Sequence, residues 1–291
     1  MVVERRLPEW FKVKAPGGPN FLELRSLVKR SQLHTVCEEA HCPNIGECWE
    51  RKTASFMILG DTCTWRCHYC AVKTGRPDAV DHGEPLRLAE TVRRLGLRYC
   101  VITSVTRDDL ADGGASVFAE CIRAIRRVMP ECKVEVLIPY LKGDDDALAT
   151  VLEAGPDVLN HNIETVERVF HRVRPKGDYR GSLRVLRRSL EMAPGIPTKS
   201  GMMVGLGETE DEVHATMQDL RGAGCKLLTI GQYLRPSPVH FPLQRFYDPD
   251  EFRALSRAGQ AMGFSHVAAG PLVRSSYLAD EQAAAAQILG P

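Results

Sequence analysis

The sequence lacks a long apolar segment. No run approaches the ~18 residues that a membrane-spanning helix needs. The first twenty residues, MVVERRLPEWFKVKAPGGPN, are charged and interrupted by proline and glycine, unlike the apolar centre of a secretory signal peptide. We therefore expect no contact with a membrane and a location in the cytoplasm or an equivalent reducing compartment.

The sequence also lacks an excess of charge of either sign. Its 38 Lys and Arg residues are balanced by 37 Asp and Glu residues, which leaves a formal net charge of +1. No general attraction to nucleic acid follows from this balance, although a local basic patch for an acidic protein stays open. Hydrophobic residues make up 44% of the chain, enough for a large core.

Cysteine, in contrast, is plentiful. The chain has ten cysteines, and in a reducing compartment such a number indicates metal or cluster ligands together with buried thiols rather than disulfides. Six of them form two triples, described below. We expect the other four, Cys100, Cys121, Cys132 and Cys225, to be buried thiols in or near the core.

One pattern recurs along the chain: an amphipathic helix, a glycine and a short apolar strand. It occurs five times, with Gly96, Gly155, Gly195, Gly224 and Gly263 suited to the left-handed residue that ends a helix. The segments ASFMILG and CKVEVLIP bring the predicted strands to seven. Helices that alternate with continuous apolar strands predict a parallel sheet, and hence one barrel-like α/β domain.

Helix starts agree with this pattern. Acidic residues 144–146 suit the first turn of one helix, and TEDE at 209–212 predicts a capping box at another.

Polar and cysteine-containing segments follow the predicted strands. They include DTCTWRCHYC after the first strand, TSVTRDDL after the second and GPLVRSSY after the last. Parallel barrels carry their chemistry at the carboxyl ends of the strands, so these segments predict an active face. The simpler interpretation is that they are ordinary polar βα loops.

Cys63, Cys67 and Cys70 have the spacing Cys-x3-Cys-x2-Cys and supply only three ligands. A cluster of four irons and four sulfides takes one thiolate per iron, so three cysteines would leave one iron open for a substrate or cofactor. The alternative is a zinc site with His68 or His41 as fourth ligand. Zinc sites usually pair shorter two-ligand motifs, so this alternative fits the spacing poorly.

These residues, with Tyr69 before the last cysteine and the segment GMMVGLGE containing Gly201, Val204, Gly205 and Glu208, resemble the radical S-adenosylmethionine superfamily. The resemblance implies an α/β fold, a partial (β/α)6 TIM-like barrel with N- and C-terminal extensions. It also implies that Cys63, Cys67 and Cys70 hold a 4Fe–4S cluster that binds S-adenosylmethionine.

The second triple, Cys37, Cys42 and Cys48, and the segment RSSY at 274–277 narrow the resemblance to a sulfur-inserting branch of this superfamily. The resemblance implies an auxiliary 4Fe–4S cluster on the triple with Ser276 as fourth ligand. The corresponding division is residues 1–50 with the auxiliary ligands, 51–269 as the barrel and 270–291 with RSSY. The simpler interpretation makes Ser275 or Ser276 a helix cap before YLADEQ.

A segment that follows the last barrel strand emerges at the same face as the βα loops. We therefore expect the N-terminal extension to fold across that mouth and to meet Ser276 there.

The resemblance also implies the reaction: radical insertion of two sulfur atoms at C6 and C8 of an octanoyl chain bound to a lysine, with the auxiliary cluster as sulfur donor. Implied partners are an octanoylated lipoyl carrier domain or H protein, an electron donor such as ferredoxin or flavodoxin, and an iron–sulfur carrier that repairs the cluster. Rival interpretations are another radical enzyme with an auxiliary cluster and an electron carrier. RSSY and the open triple argue against them.

Further residues are predicted to contact the adenosyl cofactor because they lie on or after predicted strands. Arg235 and Asp109 are further candidates, and for each residue the alternative is a salt bridge or a loop cap. The predicted set is Tyr69, Thr103, Arg107, Asp108, Glu135, Asn162, Lys199, Gly205 and Glu208.

Overall fold

The structure, a computed structural model, describes residues 7–13 and 15–286. The N-terminal and C-terminal tips of the two predicted extensions lie outside these ranges. The described chain forms one sheet of eight strands in the order β1 to β8. The strands are β1 His34–Thr35, β2 Ser55–Ile58, β3 Tyr99–Ser104, β4 Lys133–Leu137, β5 Val158–Asn160, β6 Thr198–Val204, β7 Leu227–Gln232 and β8 His266–Gly270.

Helices connect these strands and surround the sheet. Two 3₁₀ turns, Glu9–Phe11 and Leu141–Gly143, accompany them. The helices are α1 Pro19–Arg30, α2 Val36–Glu39, α3 Ile45–Glu50, α4 Glu84–Leu95, α5 Ala115–Val128, α6 Asp145–Glu153, α7 Glu167–Val173, α8 Tyr179–Met192, α9 Glu210–Gly222, α10 Pro249–Ala261 and α11 Ala279–Ala285. None of the described helices is both long and apolar enough to cross a bilayer.

Strands β2 to β8 pair in parallel, and they are the seven strands predicted from the sequence. Helical crossovers join them into six βα units followed by a closing strand. Strand β1 pairs antiparallel with β2 and was not predicted, because a two-residue strand has no periodicity to detect. Within the described residues β8 is not paired back to β1, so the barrel is partial.

Local signals position the helices as expected. The carboxylate of Asp144 accepts from the backbone N–H groups of Asp146 and Ala147, and Thr209 and Glu212 form the predicted capping box. Gly96, Gly155, Gly224 and Gly263 have positive φ at helix ends. The prediction for Gly195 was wrong, because α8 already ends at Met192.

The core has two large parts, one around β2–β5 and one around β6–β8. The four cysteines outside the triples are completely buried there, which confirms the prediction for Cys100, Cys121, Cys132 and Cys225. Burial raises the pKa of Cys132 to about 11 and that of Cys225 to about 12, so both remain thiols at neutral pH.

The chain after β8 turns back into the barrel. On the inner face of β6, a Cβ built on Gly201 would lie 2.8 Å from Ser275 Oγ, and on β7 a Cβ on Gly231 would overlap the carbonyl oxygen of Val273. The next helix, α11, packs Ala279 and Ala283 against Tyr99 at the start of β3. The C-terminal segment therefore crosses the inside of the barrel toward the amino ends of β2 and β3. Our expectation that it meets the N-terminal extension at the mouth was wrong.

This path predicts the effect of adding a methyl group inside the barrel. Gly231→Ala is expected to displace residues 272–277, because backbone cannot move aside cheaply, and to lower the free energy of unfolding by about 1–3 kcal/mol. Hydrogen–deuterium exchange should show faster exchange in residues 272–286.

The matched control is Gly222→Ala at the end of α9, where no atom lies within 4 Å of the new Cβ. The control should leave exchange in the C-terminal segment unchanged. Equal protection of that segment in both variants would contradict its placement inside the barrel.

Candidate functional site

The loop after β2 carries the first cysteine site. It doubles back on itself, with Cys63 N–H donating to Lys73 O at 2.8 Å and Gly75 N–H donating to Cys63 O at 3.0 Å. The sulfur of Cys63 accepts from the backbone N–H groups of Trp65, at 3.4 Å, and Thr106, at 3.3 Å. These two backbone N–H groups fix the position of the Cys63 sulfur.

Burial works against ionisation of the other two thiols. It raises the pKa of Cys67 to about 11 and that of Cys70 to about 12. Neighbouring cysteines contribute to both of these raised pKa values. The thiols therefore become thiolates only when a cation compensates the lost hydration, as a bound metal does.

The loop after β3 holds the cysteine loop in place. The buried Arg107 guanidinium donates to the carbonyl groups of Leu59, at 3.2 Å, and Asp78, at 3.0 Å, and pairs with Asp109 at 2.8 Å. The Asp108 carboxylate accepts from the indole N–H of Trp65. These contacts give Arg107 and Asp108, both predicted to bind the cofactor, a role in positioning the cysteines.

Two charged residues beside Cys67 were missed by the sequence analysis. Arg174 is buried, its guanidinium lies 5.1 Å from the ring centre of Trp65, and its Nε has no hydrogen-bond partner among the described residues. Glu164 has φ of 69°, and the side chains of Tyr69 and Asn162 lie near its carboxylate. Burial raises the pKa of Glu164. Both residues come after β5 in the chain, and in that region only Asn162 had been predicted to contact the cofactor.

Asn162 connects this site to the C-terminal segment. Its Oδ1 accepts a hydrogen bond from Ser275 Oγ at 3.0 Å. The residue before Ser276 is thus fixed beside the cofactor candidate Asn162, inside the barrel.

The second cysteine triple lies at the opposite end of the barrel. A small pocket is bounded by Ser55 at the start of β2, Tyr99 at the start of β3 and Ser276 of the C-terminal segment. Cys37, Cys42 and Cys48 line the same pocket, together with Arg274 and Tyr277. The structure therefore brings the triple and Ser276 together although more than 200 residues separate them.

Three contacts fasten the two extensions to each other around this pocket. Asn44 Nδ2 donates to Leu272 O at 2.6 Å, Tyr277 donates to Glu47 at 3.2 Å, and Arg51 pairs with Glu281. The alternative role of Ser276 as a helix cap was wrong. The residue at the cap position of α11 is Leu278, and no side chain caps that helix.

Both cysteine sets suit clusters better than a single ion. Burial raises the pKa of Cys37 to about 11 and that of Cys48 to about 12, so this triple also requires a cation to ionise. Among residues 7–13 and 15–286, no three His, Cys, Asp or Glu side chains converge tightly enough for one ion. The thiolates of a 4Fe–4S cluster each bind a different iron and need not converge on one point. His68, considered as a zinc ligand, bonds Arg172 O at 2.8 Å.

The other predicted cofactor residues have protein partners. Glu208 accepts from the backbone N–H groups of Gly205, at 2.6 Å, and Leu206, at 2.9 Å, and so closes the turn after β6. Thr103 donates to Leu137 O at 3.0 Å. Arg235 donates to His240 O at 2.9 Å.

Glu135 and Lys199 form a buried ion pair, 3.0 Å between Nζ and Oε1, with exposed side-chain fractions of 1% and 0%. The Glu135 carboxylate also accepts from the Tyr99 hydroxyl, at 2.7 Å, and from Asn160 Nδ2, at 3.1 Å. Lys199 is the second residue of β6 and does not lie at its carboxyl end as expected. Tyr99 also bounds the auxiliary pocket, so it connects this network to that pocket.

Two family models match the chain. The model of the radical SAM superfamily matches residues 57–220, and the model of the N-terminal domain of lipoyl synthase of the radical SAM family matches residues 2–42.

Similar sequences span most of the chain. The lipoyl synthase of Rubrobacter xylanophilus is 58% identical over 94% of this chain and 86% of its own length. The lipoyl synthase of Halalkalibacterium halodurans is 55% identical over 97% of this chain and 94% of its own length. The lipoyl synthase of Symbiobacterium thermophilum is 56% identical over 97% of this chain and 88% of its own length.

Solved structures are similar in fold. HydG, a maturase of the [FeFe]-hydrogenase, has a TM-score of 0.56 at 16% identity and covers 89% of this chain and 57% of its own. Methylornithine synthase has a TM-score of 0.54 at 14% identity, with coverage of 78% and 68%. At these identities the likeness concerns the fold alone.

The buried ion pair gives a prediction for stability. Lys199→Met leaves the Glu135 carboxylate buried without its cation, and the free energy of unfolding is expected to fall by about 3–5 kcal/mol. Urea unfolding of the cluster-free chain measures this loss. The double variant Lys199→Met with Glu135→Leu should recover much of it, because no charge remains uncompensated. A single variant as stable as the parent chain would contradict the pairing.

Proposed function

The chain belongs to the lipoyl synthase family of the radical SAM superfamily, and from this membership we propose which of its residues hold each cofactor and the substrate. It is an enzyme that uses S-adenosylmethionine and 4Fe–4S clusters to insert two sulfur atoms into a protein-bound octanoyl chain. The prediction of this function from the sequence is confirmed.

The proposal depends on one observation above all: two cysteine triples lie at opposite ends of one barrel, and a segment inside the barrel reaches from one to the other. We propose that Cys63, Cys67 and Cys70 hold the cluster that binds S-adenosylmethionine. Cys37, Cys42 and Cys48, with Ser276, hold the auxiliary cluster. When bound, the first cluster with its cofactor supplies the radical, and the second supplies the sulfur.

The chain's own residues then have distinct tasks in binding S-adenosylmethionine. The Arg174 guanidinium has an unused donor in a buried position beside Cys67, which suits the cofactor's carboxylate. Glu164, near Tyr69 and Asn162, presents a carboxylate suited to hydroxyl or ammonium groups. The stacking of Arg174 on Trp65 fixes the direction of the guanidinium.

Other residues orient the auxiliary ligands and exclude water. The bonds of Asn44 to Leu272 O and of Tyr277 to Glu47 close the extensions over the pocket. The bond from Ser275 to Asn162 fixes the chain one residue before Ser276. An acyl chain that enters the barrel would thus lie between the two cysteine sites. The extensions, closed over the auxiliary pocket, would protect a reactive carbon radical there from side reactions.

The remaining partners follow from this chemistry. Lipoyl synthases act on lipoyl carrier proteins, and we assign the octanoylated lipoyl domain or the H protein as substrate carrier. A one-electron donor such as ferredoxin or flavodoxin reduces the first cluster, and an iron–sulfur carrier rebuilds the auxiliary one. All ten cysteines are free thiols, and ligands must stay reduced, so we place the chain in the cytoplasm.

The two triples are separable by mutation. Cys67→Ala is expected to abolish formation of 5′-deoxyadenosine, because a cluster ligand is lost, while the auxiliary cluster remains. Cys42→Ala is expected to retain cofactor cleavage but to form no lipoyl product. Chromatography of 5′-deoxyadenosine and mass spectrometry of an octanoylated carrier peptide measure the two outcomes, with iron and sulfide counts on each variant. Lipoyl product from Cys42→Ala, or normal cleavage by Cys67→Ala, would refute the assignment.

Substitutions of Ser276 test whether this residue is a ligand of the auxiliary cluster, independently of the cysteines. Ser276→Ala should leave cofactor cleavage intact and impair sulfur insertion, because one iron loses its protein ligand. Ser276→Cys should hold the cluster more tightly, since thiolate is the softer ligand, and should slow sulfur insertion. Ser265→Ala, which removes an exposed hydroxyl just before β8, is the control for losing a hydroxyl without losing the proposed ligand. Normal sulfur insertion by Ser276→Ala would contradict ligation by Ser276.

A further inference from the structure

Three segments beside the proposed S-adenosylmethionine site contain no acidic residue. Residues 62–77, 168–177 and 233–247 together carry nine Lys and Arg residues and no Asp or Glu, in a chain whose net charge is only +1. The excess of positive charge is local, because acidic residues flank the three segments: Asp61, Asp78, Glu167, Asp178 and Asp248.

The three segments meet at one place. His68 N–H donates to Val173 O at 2.7 Å, and Phe241 N–H donates to His68 O at 2.7 Å. The ring of His240 lies 3.1 Å from the carbonyl oxygen of Cys70, measured from Nε2. The segments therefore form one continuous surface over the outside of the Cys67–Cys70 turn, which we call the basic face.

Several cations of the basic face have no acidic partner. Arg168, Arg245 and Lys73 pair with Glu212, Glu251 and Asp61 at its edges. Among the described residues, no carboxylate lies within ion-pair distance of the cations that make up the rest of the surface: Arg66, Arg76, Arg172, Lys176 and Arg235. The first four of these side chains are exposed.

An exposed apolar side chain lies among these cations. Val239 is 86% exposed, the highest value among the large hydrophobic residues that the structure describes as exposed. Its loop is held by Arg235, which donates to His240 O at 2.9 Å, and by the contact of Ser237 with His240 at 2.8 Å. An apolar centre with a charged rim is the pattern of a protein-binding surface.

We propose that the basic face binds an acidic one-electron carrier protein, which reduces the cluster held by Cys63, Cys67 and Cys70. This inference rests on the proposed function of that triple. The step transfers one electron: the carrier is oxidised, the cluster is reduced, and no bond is made or broken. Complementary charge favours encounter and release, as a carrier that must leave after each transfer requires.

Geometry favours this carrier over the octanoylated domain. His240 follows Val239 directly and contacts the carbonyl of Cys70, so a protein bound over Val239 lies one side chain away from a proposed ligand. The hydrogen bonds from Phe241 to His68 and from His68 to Val173 seal the surface there. The octanoyl-lysine side chain of a carrier domain could not pass through this surface into the barrel, whereas an electron can be transferred across it.

The test uses the full chain with its clusters reconstituted, and a purified flavodoxin as probe. The variants are Val239→Asp and the double variant Arg66→Glu with Arg172→Glu. Oxidised flavodoxin is titrated by calorimetry, and 5′-deoxyadenosine formation is measured with reduced flavodoxin and, separately, with dithionite. We expect the charge-reversed variant to weaken flavodoxin binding about tenfold or more at low salt. Flavodoxin-driven cleavage should fall likewise, with dithionite-driven cleavage unchanged.

Matched controls lie elsewhere on the surface. Arg127→Glu changes an exposed arginine at the end of α5, and Leu86→Asp changes a leucine of α4 that is 62% exposed. Both should bind flavodoxin as the parent chain does. The double variant Arg66→Gln with Arg172→Gln removes both charges without reversing them. It replaces the charge-reversed variant if reversal disturbs the stacking of Arg172 on Phe241.

Unchanged flavodoxin binding in the basic-face variants would overturn the proposal. An equal loss of 5′-deoxyadenosine formation with dithionite would also overturn it. The same holds if the variants bind an octanoylated lipoyl domain more weakly but flavodoxin as before. If the parent chain with dithionite formed no 5′-deoxyadenosine, the proposed function would fail instead, and the titration with oxidised flavodoxin would still decide the docking site.

Discussion

The close approach of the C-terminal backbone to the inner face of β6 and β7 is the contact on which the two-site arrangement depends. Gly201 and Gly231 have no side chain where Ser275 Oγ and Val273 O lie, so residues 272–276 fit inside the barrel. A barrel interior is normally filled by the side chains of its own strands. Here part of that volume is occupied by a returning segment of the chain, and that segment carries Ser276 to the pocket of the first cysteine triple.

Burial of thiols is the second constraint. Around both triples, desolvation holds the pKa of most cysteines well above neutrality, with values of about 11 to 12 for Cys37, Cys48, Cys67 and Cys70. A thiol whose pKa is about 11 to 12 carries its proton at physiological pH, so metal binding must release protons.

Sequence reasoning predicted the seven parallel strands and the main helix caps because their signals are local. Apolar strands, Asp144 and the Thr209–Glu212 box act within a few residues. It did not predict the path of RSSY, because the inward direction of Gly201 and Gly231 depends on sheet register. Arg174 was missed because an arginine in VRPKG resembles a surface charge, whereas Glu135 and Lys199 were interpreted as cofactor contacts although they neutralise each other. The ligand assignments remain predictions.

The position of Ser276 also orders events during synthesis. Chains grow from the N-terminus at roughly 5–20 residues per second, so tens of seconds separate the emergence of Cys48 from that of Ser276. During that interval the first triple exists without its fourth partner and without the contacts from Leu272, Tyr277 and Glu281 that close its pocket. Completion of this site therefore waits for the C-terminal segment, and until residue 276 has emerged the three thiols lack both the serine and the contacts that enclose them.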